Sequence, residues 1–247
     1  QLRGELLVEL GRMFVRLGAD EDAVPVLREG VATLERVAPA QDPALNKGRV
    51  YLAGVLMDDG EDLAHVGLLA RTAREACATD EVDCVKARAY AGNLLSQIAS
   101  FAGDDELALE EMRRSAVDTE QAFGATHNET VVAFMSLAVT ARNAGHLREA
   151  GDAMARAMTI ASAVRMRAAD RAQLDRTMAI IDYDLGRYEA ARDRLRSLIA
   201  TTADAGERAL QLRFLANVYA ELGDGPQTLK VANEGLARLP ADSTQEA

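Results

Sequence analysis

Residues 10–23 read LGRMFVRLGADEDA, and residues 137–150 repeat the same arrangement as LAVTARNAGHLREA. In both stretches a leucine and a small residue precede a glycine by eight and seven positions, and an alanine follows that glycine by five. Apolar residues spaced three and four apart on each side of the glycine are typical of helices that bury one face. Each stretch therefore predicts a helix, a glycine turn and a second, antiparallel helix.

The glycine of this stretch recurs along the whole chain. Successive copies lie 42, 43, 42, 41 and 37 residues apart, at Gly18, Gly60, Gly103, Gly145, Gly186 and Gly223. Five are followed after five positions by a small residue (Ala23, Ala108, Ala150, Ala191, Thr228), whereas Gly60 has Ala64 at four. We interpret both small residues as places where the two helices pack closely. A fixed period of this length indicates a stacked array, and we expect it to bend or end at the irregular second and sixth units.

The composition suits helices that pack through small side chains. Hydrophobic residues make up 49% of the 247 residues, but aromatic residues only 4%, and there is no Trp. The core must therefore come from Leu, Val, Met and Ala, and alanine has the highest helix propensity. We expect a single all-α domain with a polar tail at 241–247 and repeats at about 1–42, 43–83, 84–127, 128–166, 167–206 and 207–240.

The pattern of Leu, small residue, aromatic or small residue, Gly and Ala resembles the tetratricopeptide repeat (TPR). It fits best at residues 10–23, 137–150 and 215–223, and least well in repeat two and in repeat five, where Asp182 replaces an aromatic residue. The usual TPR period is about 34 residues, so this chain is similar to the longer variant of kinesin light chains. Residues 123–130, FGATHNET, are similar to the Gly-x-x-His-Pro-x-Thr turn of that variant, with Asn128 in place of proline. HEAT and armadillo repeats are the alternative fold, but the offset from Gly to Ala favours TPR.

The resemblance implies a right-handed superhelical array of antiparallel helix pairs whose first helices line a concave binding face. Carried onto this chain, that face has six positive residues (Arg12, Arg16, Lys47, Arg142, Arg176, Arg213) and four negative ones (Glu5, Asp58, Asp184, Glu221). Arginine forks suit carboxylates, and amide side chains bind extended backbone. We therefore expect a protein or peptide partner, acidic in character, at Arg12, Arg16, Lys47, Asn93, Gln97, Arg142, Asn143, Arg176, Tyr183, Arg213 and Asn217. The alternative is that these arginines form ordinary pairs within a helix, such as Glu9 with Arg12 or Arg16.

Cys77 and Cys84 are the only cysteines, and they fall at one predicted turn between two helices. A disulfide there would imply an oxidising compartment, which in a bacterium is the periplasm. Two unpaired thiols would imply a cytoplasmic protein. The sequence leaves both states open and favours the disulfide slightly, because the two residues share a turn.

Several classes of function do not fit this chain. The net charge of −11 and the pI of about 4.8 argue against nucleic-acid binding. No apolar run approaches the length of a membrane span. His65, His127 and His146 lie in different repeats without a Cys or Ser at a recognisable spacing, so we expect no enzyme activity, no cofactor and no metal site.

The chain begins at Gln1, and we interpret it as a piece of a longer protein. Its Ala- and Arg-rich long repeats, with the segment from Cys77 to Tyr90, resemble the C-terminal regions of bacterial eukaryotic-like Ser/Thr kinases. That resemblance implies a sensor or scaffold role in signalling, with any kinase activity in sequence outside this chain. The alternatives are the sensor arm of a transcriptional regulator and a self-associating structural scaffold. We expect a monomer or a weak dimer.

Overall fold

The structure is a computed structural model that describes residues 1–58, 60 and 62–237. In this part of the chain, twelve α-helices are linked by turns and short loops, and no strand occurs. The helices are α1 Leu2–Arg16, α2 Asp20–Glu35, α3 Pro43–Asp58, α4 Leu63–Ala76, α5 Val82–Phe101, α6 Asp105–Phe123, α7 Asn128–Asn143, α8 Leu147–Ala163, α9 Ala168–Asp184, α10 Tyr188–Thr201, α11 Ala205–Glu221 and α12 Gly225–Leu236.

Consecutive helices pair into six hairpins, and each hairpin packs on the next. This is the all-α superhelical array that the sequence predicts. In repeat four, the pattern predicts helices over 129–144 and 147–164, and the observed α7 and α8 agree with these bounds to within one residue at each end. The bounds of the individual repeats that the sequence suggests remain a prediction. The predicted polar tail, residues 241–247, lies outside the described residues.

The six periodic glycines follow the first helix of each hairpin, where the backbone turns left-handed, with φ between 70° and 79°. In repeat one, the N–H of Gly18 donates to the carbonyl of Val15, and the N–H of Ala19 donates to that of Phe14, both at 3.0 Å. These bonds satisfy carbonyls that a helix end leaves free, in the Schellman arrangement. A side chain at such a φ is strained, so glycine is required by conformation. The prediction that these glycines are needed for close packing is wrong, because nothing lies within 4 Å of a Cβ built there.

Close packing occurs instead five residues later, at the start of the second helix. Ala23, Ala108, Ala150 and Ala191 are completely buried. In repeat two the expected equivalent, Ala64, is exposed. Val66, six residues after Gly60, takes the buried place at 0% exposure. Repeat two therefore carries one residue more after its glycine, where the sequence pattern predicted one fewer.

The other two irregular units also have local explanations. In repeat five, Asp182 is buried at 2% exposure, and Arg194 of α10 donates to it from Nε at 3.3 Å. An ion pair thus replaces the apolar contact that an aromatic residue would make between α9 and α10. The shorter period before Gly223 follows from α10, which has 14 residues against 17 in α8, and from a link of only three residues to α11.

Candidate peptide-binding face

Several first helices of neighbouring hairpins contact one another directly. α1 packs on α3, α3 on α5 and α7 on α9, in addition to the contacts within each hairpin. In a curved array the helices that approach each other most closely lie on the inner side of the curve. The positions predicted to line the concave face are therefore carried by the helices of this inner side.

A pocket of about 180 Å³ opens between α1, α3 and α5 on this inner side. Three cations surround it, one from each of these helices, and the end of α6 closes it with an aromatic ring. Its lining consists of Arg12, Lys47, Val50, Tyr51, Asp83, Lys86, Ala87, Tyr90 and Phe123. The structure thus brings together the predicted residues Arg12 and Lys47 from different repeats.

One carboxylate, Glu9, serves two of these cations. Arg12 donates to Glu9 at 2.8 Å within α1, and Lys47 of α3 donates to the other carboxylate oxygen. Burial alone would raise the pKa of Glu9, but the hydrogen bonds from Lys47 and Arg12 outweigh it, and the pKa is lowered. Two positive charges therefore share one negative charge. With Lys86 paired to Asp83, these three cations and two carboxylates carry a net charge of +1 in an acidic chain.

The opposite wall of the pocket is aromatic. The rings of Tyr51 and Tyr90 lie 6.0 Å apart, and the ring of Phe123 packs edge-on against Tyr90 at 6.4 Å. His127 stacks on Phe123 at 5.2 Å, and the ammonium of Lys86 lies 5.5 Å from the centre of the Phe123 ring. Burial raises the pKa of both tyrosines, so their hydroxyls stay protonated and can donate hydrogen bonds.

Sequence reasoning did not select Tyr51, Lys86 or Phe123. The family scheme selects exposed positions on first helices, whereas Phe123 ends a second helix and Tyr51 is half-buried beside α1. A compositional signal was available, because the chain has only five Tyr and five Phe, and three of these ten line one pocket.

Farther along the array, two of the predicted cations, Arg142 and Arg176, are paired between hairpins. Arg142 of α7 donates to Asp184 of α9, and Arg176 of α9 lies 2.8 Å from Glu207 of α11. The hydroxyl of Tyr183 donates to Glu221 at 3.3 Å. These contacts tie successive first helices together, so Arg142 and Arg176 present paired charges to a ligand.

The remaining predicted residues are either paired locally or open. Gln97 donates to Asn93 at 2.6 Å within α5. Within the described part of the chain, no ion pair or side-chain hydrogen bond involves Arg16, Asn143, Arg213 or Asn217. The pairing within a helix that the sequence offers as the alternative, Glu9 with Arg12 or Arg16, occurs with Arg12. The binding role of all these residues stays a prediction.

Cys77 and Cys84 meet at the turn between α4 and α5, as the sequence predicts. Both are buried free thiols, and their Sγ atoms lie 2.7 Å apart. The disulfide that the sequence favours slightly is therefore not formed in this structure, although the two sulfur atoms are adjacent. Burial and the contact with Cys84 raise the pKa of Cys77 to about 12.

Other kinds of site are not found in the described residues. No group of three or more His, Cys, Asp or Glu is placed to hold a metal ion there. No helix in residues 1–58, 60 and 62–237 combines the length and apolarity needed to cross a membrane. His127 accepts the N–H of Glu129 and caps α7, and His146 pairs with Glu106 at 2.9 Å, so both have structural roles.

No protein-family model and no curated protein sequence matches this chain. Solved structures do match its fold, and BtubC (BKLC) from P. vanneervenii has a TM-score of 0.69 at 15% identity over 93% of each chain. The chain has the tetratricopeptide fold. A putative kinesin light chain from Podospora anserina with nearly identical TPR-like repeats has a TM-score of 0.51 at 16% identity, over 98% of this chain and 96% of that one. YrrB, a TPR protein with an unusual peptide-binding site, has a TM-score of 0.61 at 13% identity, over 86% and 93% of the two chains. At these identities the likeness is one of fold alone.

Proposed function

We propose that this chain is a protein- or peptide-binding module that takes an acidic segment along its concave face. The observation that carries the proposal is the pocket between α1, α3 and α5, where three cations face an aromatic wall. Helical arrays present extended surfaces more often than catalytic sites, and we propose no enzyme activity. Peptide binding by YrrB, which shares the fold, supports the same reading.

The chemistry of the pocket favours a carboxylate-bearing side chain next to an apolar one. Arg12 and Lys47 share Glu9, whose side chain is 43% exposed, so an incoming carboxylate can be bound without displacing a buried partner. Among the described residues, Lys86 pairs with Asp83 at 3.7 Å and lies over the ring of Phe123. Tyr51, Tyr90 and Phe123 supply apolar area with little loss of side-chain entropy on binding.

The three lysines of the chain provide a matched experiment, because Lys47 and Lys86 line the pocket and Lys230 lies exposed on α12. The probes are a pool of short fluorescent peptides rich in Asp and Glu and a second pool in which Lys replaces the acidic residues. We expect the acidic pool to bind and the double variant Lys47→Gln/Lys86→Gln to bind it roughly 5- to 30-fold more weakly, at about 0.5–1 kcal/mol for each charge. Lys230→Gln should bind as the unmodified protein does.

Two results would overturn the acidic-ligand proposal. One is equal binding of the acidic and basic pools, and the other is an affinity of the double lysine variant equal to that of Lys230→Gln. Binding should also weaken as salt rises, because the contacts are charged and partly exposed. An amide titration by NMR would show whether the perturbed residues lie on α1, α3 and α5.

We propose further that the array is the sensor or scaffold region of a larger bacterial signalling protein, such as a Ser/Thr kinase. Its support is the sequence resemblance around Cys77 to Tyr90, together with the candidate binding face proposed above. The sensor arm of a transcriptional regulator is the second candidate. The open reading frame that contains this chain decides between them, since a kinase domain or a DNA-binding domain upstream would be evident there.

A further inference from the structure

The two cysteines lie where the second hairpin of the array meets the third. Cys77 directly follows α4, and Cys84 lies in the first turn of α5. Their Sγ atoms are in contact at 2.7 Å, inside a hydrophobic core that extends from α1 to α5. A bond between the two sulfurs would therefore be a covalent cross-link between two hairpins.

The candidate pocket is divided between the same two hairpins. One wall comes from α3 of the second hairpin, and the facing wall comes from α5 and the end of α6 in the third. The rings of Tyr51 on α3 and Tyr90 on α5 meet across the joint, with their centres 6.0 Å apart. The width of the pocket thus depends on how the second and third hairpins sit against each other.

The sulfur pair is adjacent to both walls along the chain. On α5, residues 83, 86, 87 and 90 line the pocket, while Cys84 is buried in the core at 1% exposure. On α3, the amide of Asn46 interacts with the Cys77 thiol, and the next residue, Lys47, lines the pocket. Each of these helices therefore carries one residue at the sulfur pair and its neighbour at the pocket.

We propose that Cys77 and Cys84 are a redox site whose disulfide form holds the pocket ready for its ligand. The sulfurs are in contact while the pocket is present, so the bond closes without displacing either wall. In the dithiol form, the joint is held by the loop and by noncovalent contacts, such as those from Arg88 to the carbonyls of Cys77 and Thr79 at 3.0 and 2.6 Å. The cross-link removes freedom that the ligand would otherwise restrict, and a preorganised site binds more tightly. This inference rests on the proposed function of the pocket.

The oxidant for this step is a low-molecular-weight disulfide. The thiolate of one cysteine attacks a sulfur of the reagent, which forms a mixed disulfide and releases one reagent thiolate. The thiolate of the second cysteine then attacks the first cysteine's sulfur, and the second reagent thiolate leaves. Two electrons pass from the protein to the reagent, and the two cysteine protons end on the two reagent thiols. Residues 78–83 are exposed, so local opening of this segment gives the reagent access to the buried sulfurs.

Ligand binding and oxidation are linked in both directions. When the disulfide form binds the ligand more tightly by a given factor, saturating ligand shifts the thiol–disulfide equilibrium towards the disulfide by the same factor. We expect a factor of about five or more, at the low end of typical coupling between two sites. The variant Cys77→Ser/Cys84→Ser has no cysteine left, so its affinity should not respond to oxidant.

The experiment compares the dithiol and disulfide forms of the whole chain, with the pool of acidic fluorescent peptides as the probe. Fluorescence anisotropy should show binding about fivefold tighter, or more, in the disulfide form. The matched control is Cys84→Ser treated with the same oxidant. That variant can carry the reagent on Cys77 but cannot close the cross-link, so the treatment should not tighten its binding.

Hydrogen exchange provides a second readout that needs no ligand. Amides of α3 and of the first turns of α5 should exchange more slowly in the disulfide form, whereas those of α11, in the sixth hairpin, should not change. Equal affinities of the two forms, weaker binding by the disulfide form, or failure of the disulfide to form under prolonged oxidation would overturn the proposal and leave the proposed function intact.

The two proposals can fail separately. If neither form binds the acidic pool, the proposed function is wrong, and the exchange rates alone decide whether the disulfide fixes the pocket. Slower exchange at α3 and α5 then supports the cross-link's effect, and unchanged exchange overturns it.

Discussion

Leu27 of α2 packs directly onto Gly11 of α1, so that a Cβ at residue 11 would lie 2.5 Å from Leu27 Cγ. Leu27 is completely buried and cannot withdraw into solvent. The two helices of the first hairpin therefore approach as closely as they do because residue 11 has no side chain. The same relation holds between Gly4 and Leu34, where the Cβ would lie 2.7 Å from Leu34 Cγ.

We expect Gly11→Ala to lower the free energy of unfolding by about 1–3 kcal/mol, because the added methyl overpacks the contact with Leu27. Gly54→Ala is the matched control. Gly54 lies inside α3 with nothing within 4 Å of a Cβ, so alanine there should be neutral or should stabilise by up to about 1 kcal/mol. Urea denaturation followed by circular dichroism measures both. Equal effects of the two substitutions would contradict the packing argument.

The ion pair between Asp182 and Arg194 leads to a second prediction. Asp182→Ala should destabilise the chain by about 2–3 kcal/mol, because it removes the acceptor of a charged hydrogen bond from a buried site. Asp193→Ala removes a carboxylate that pairs with Arg192 at the surface, where the side chain is 64% exposed. That control should leave the stability close to that of the unmodified protein. If Asp182→Ala were as mild as the control, the ion pair would not hold α9 and α10 together.

The fold was predictable from sequence because it depends on local features that repeat. The helix periodicity and the turn glycines gave the hairpins and, in repeat four, the helix bounds. The role of the glycines was not predictable, because a left-handed φ and a close contact both favour glycine and only coordinates separate them. Gly11 is required by its close contact with Leu27, whereas the turn glycines are required by their left-handed φ.

The candidate site was predictable only as a set of positions on the inner side. Residues 12 and 47 were selected separately, but their common partner Glu9 depends on how α1 and α3 pack. The aromatic wall was missed because Phe123 ends a second helix, outside the scheme of first-helix positions. The pairing of Arg142 with Asp184 likewise spans two hairpins, and no spacing within one repeat reveals it.

The two-bond ion pair between Arg113 and Glu149, at 2.7 and 2.6 Å, links α6 to α8 and predicts a pH dependence. The hydrogen bond from Arg113 lowers the pKa of Glu149, against an opposing effect of burial. Because the folded-state pKa lies below the ordinary value of 4.5, the pair contributes stability above that value and loses it as the pH falls through the lowered pKa. Glu149→Gln should therefore cost about 0.5–1 kcal/mol at neutral pH and nothing in strong acid.

The control for this pH experiment is Glu75→Gln, since Glu75 is exposed and forms no ion pair with a described residue. Both variants lose one negative charge, so any effect of net charge is common to them. The unfolding free energies of both variants and of the unmodified protein are measured at intervals from pH 7 to about pH 3. For Glu149→Gln, the difference from the unmodified protein should shrink toward zero as the pH falls, and Glu75→Gln should show no such trend. A constant difference at all pH values would mean that the substitution acts through packing.

The adjacent sulfur atoms of Cys77 and Cys84 give the last prediction. Burial and the contact with Cys84 raise the pKa of Cys77 to about 12, so the thiolate that reacts with a disulfide reagent is scarce at pH 8. We therefore expect native labelling of Cys77 to be much slower than that of an ordinary thiol. The variant Cys84→Ser removes the contact with Cys84 but not the burial, so Cys77 in this variant should still label more slowly than an ordinary thiol.

Prolonged oxidation of the unmodified protein by a small-molecule disulfide should join the two sulfurs. The first attack of a buried thiol on the reagent is slow, but the second sulfur is already in contact and displaces the reagent. The closed loop should stabilise the chain by about 2–3 kcal/mol. Counting thiols on denatured, non-reduced protein from its native source then tests the compartment: no free thiol supports the periplasm, whereas two free thiols contradict it.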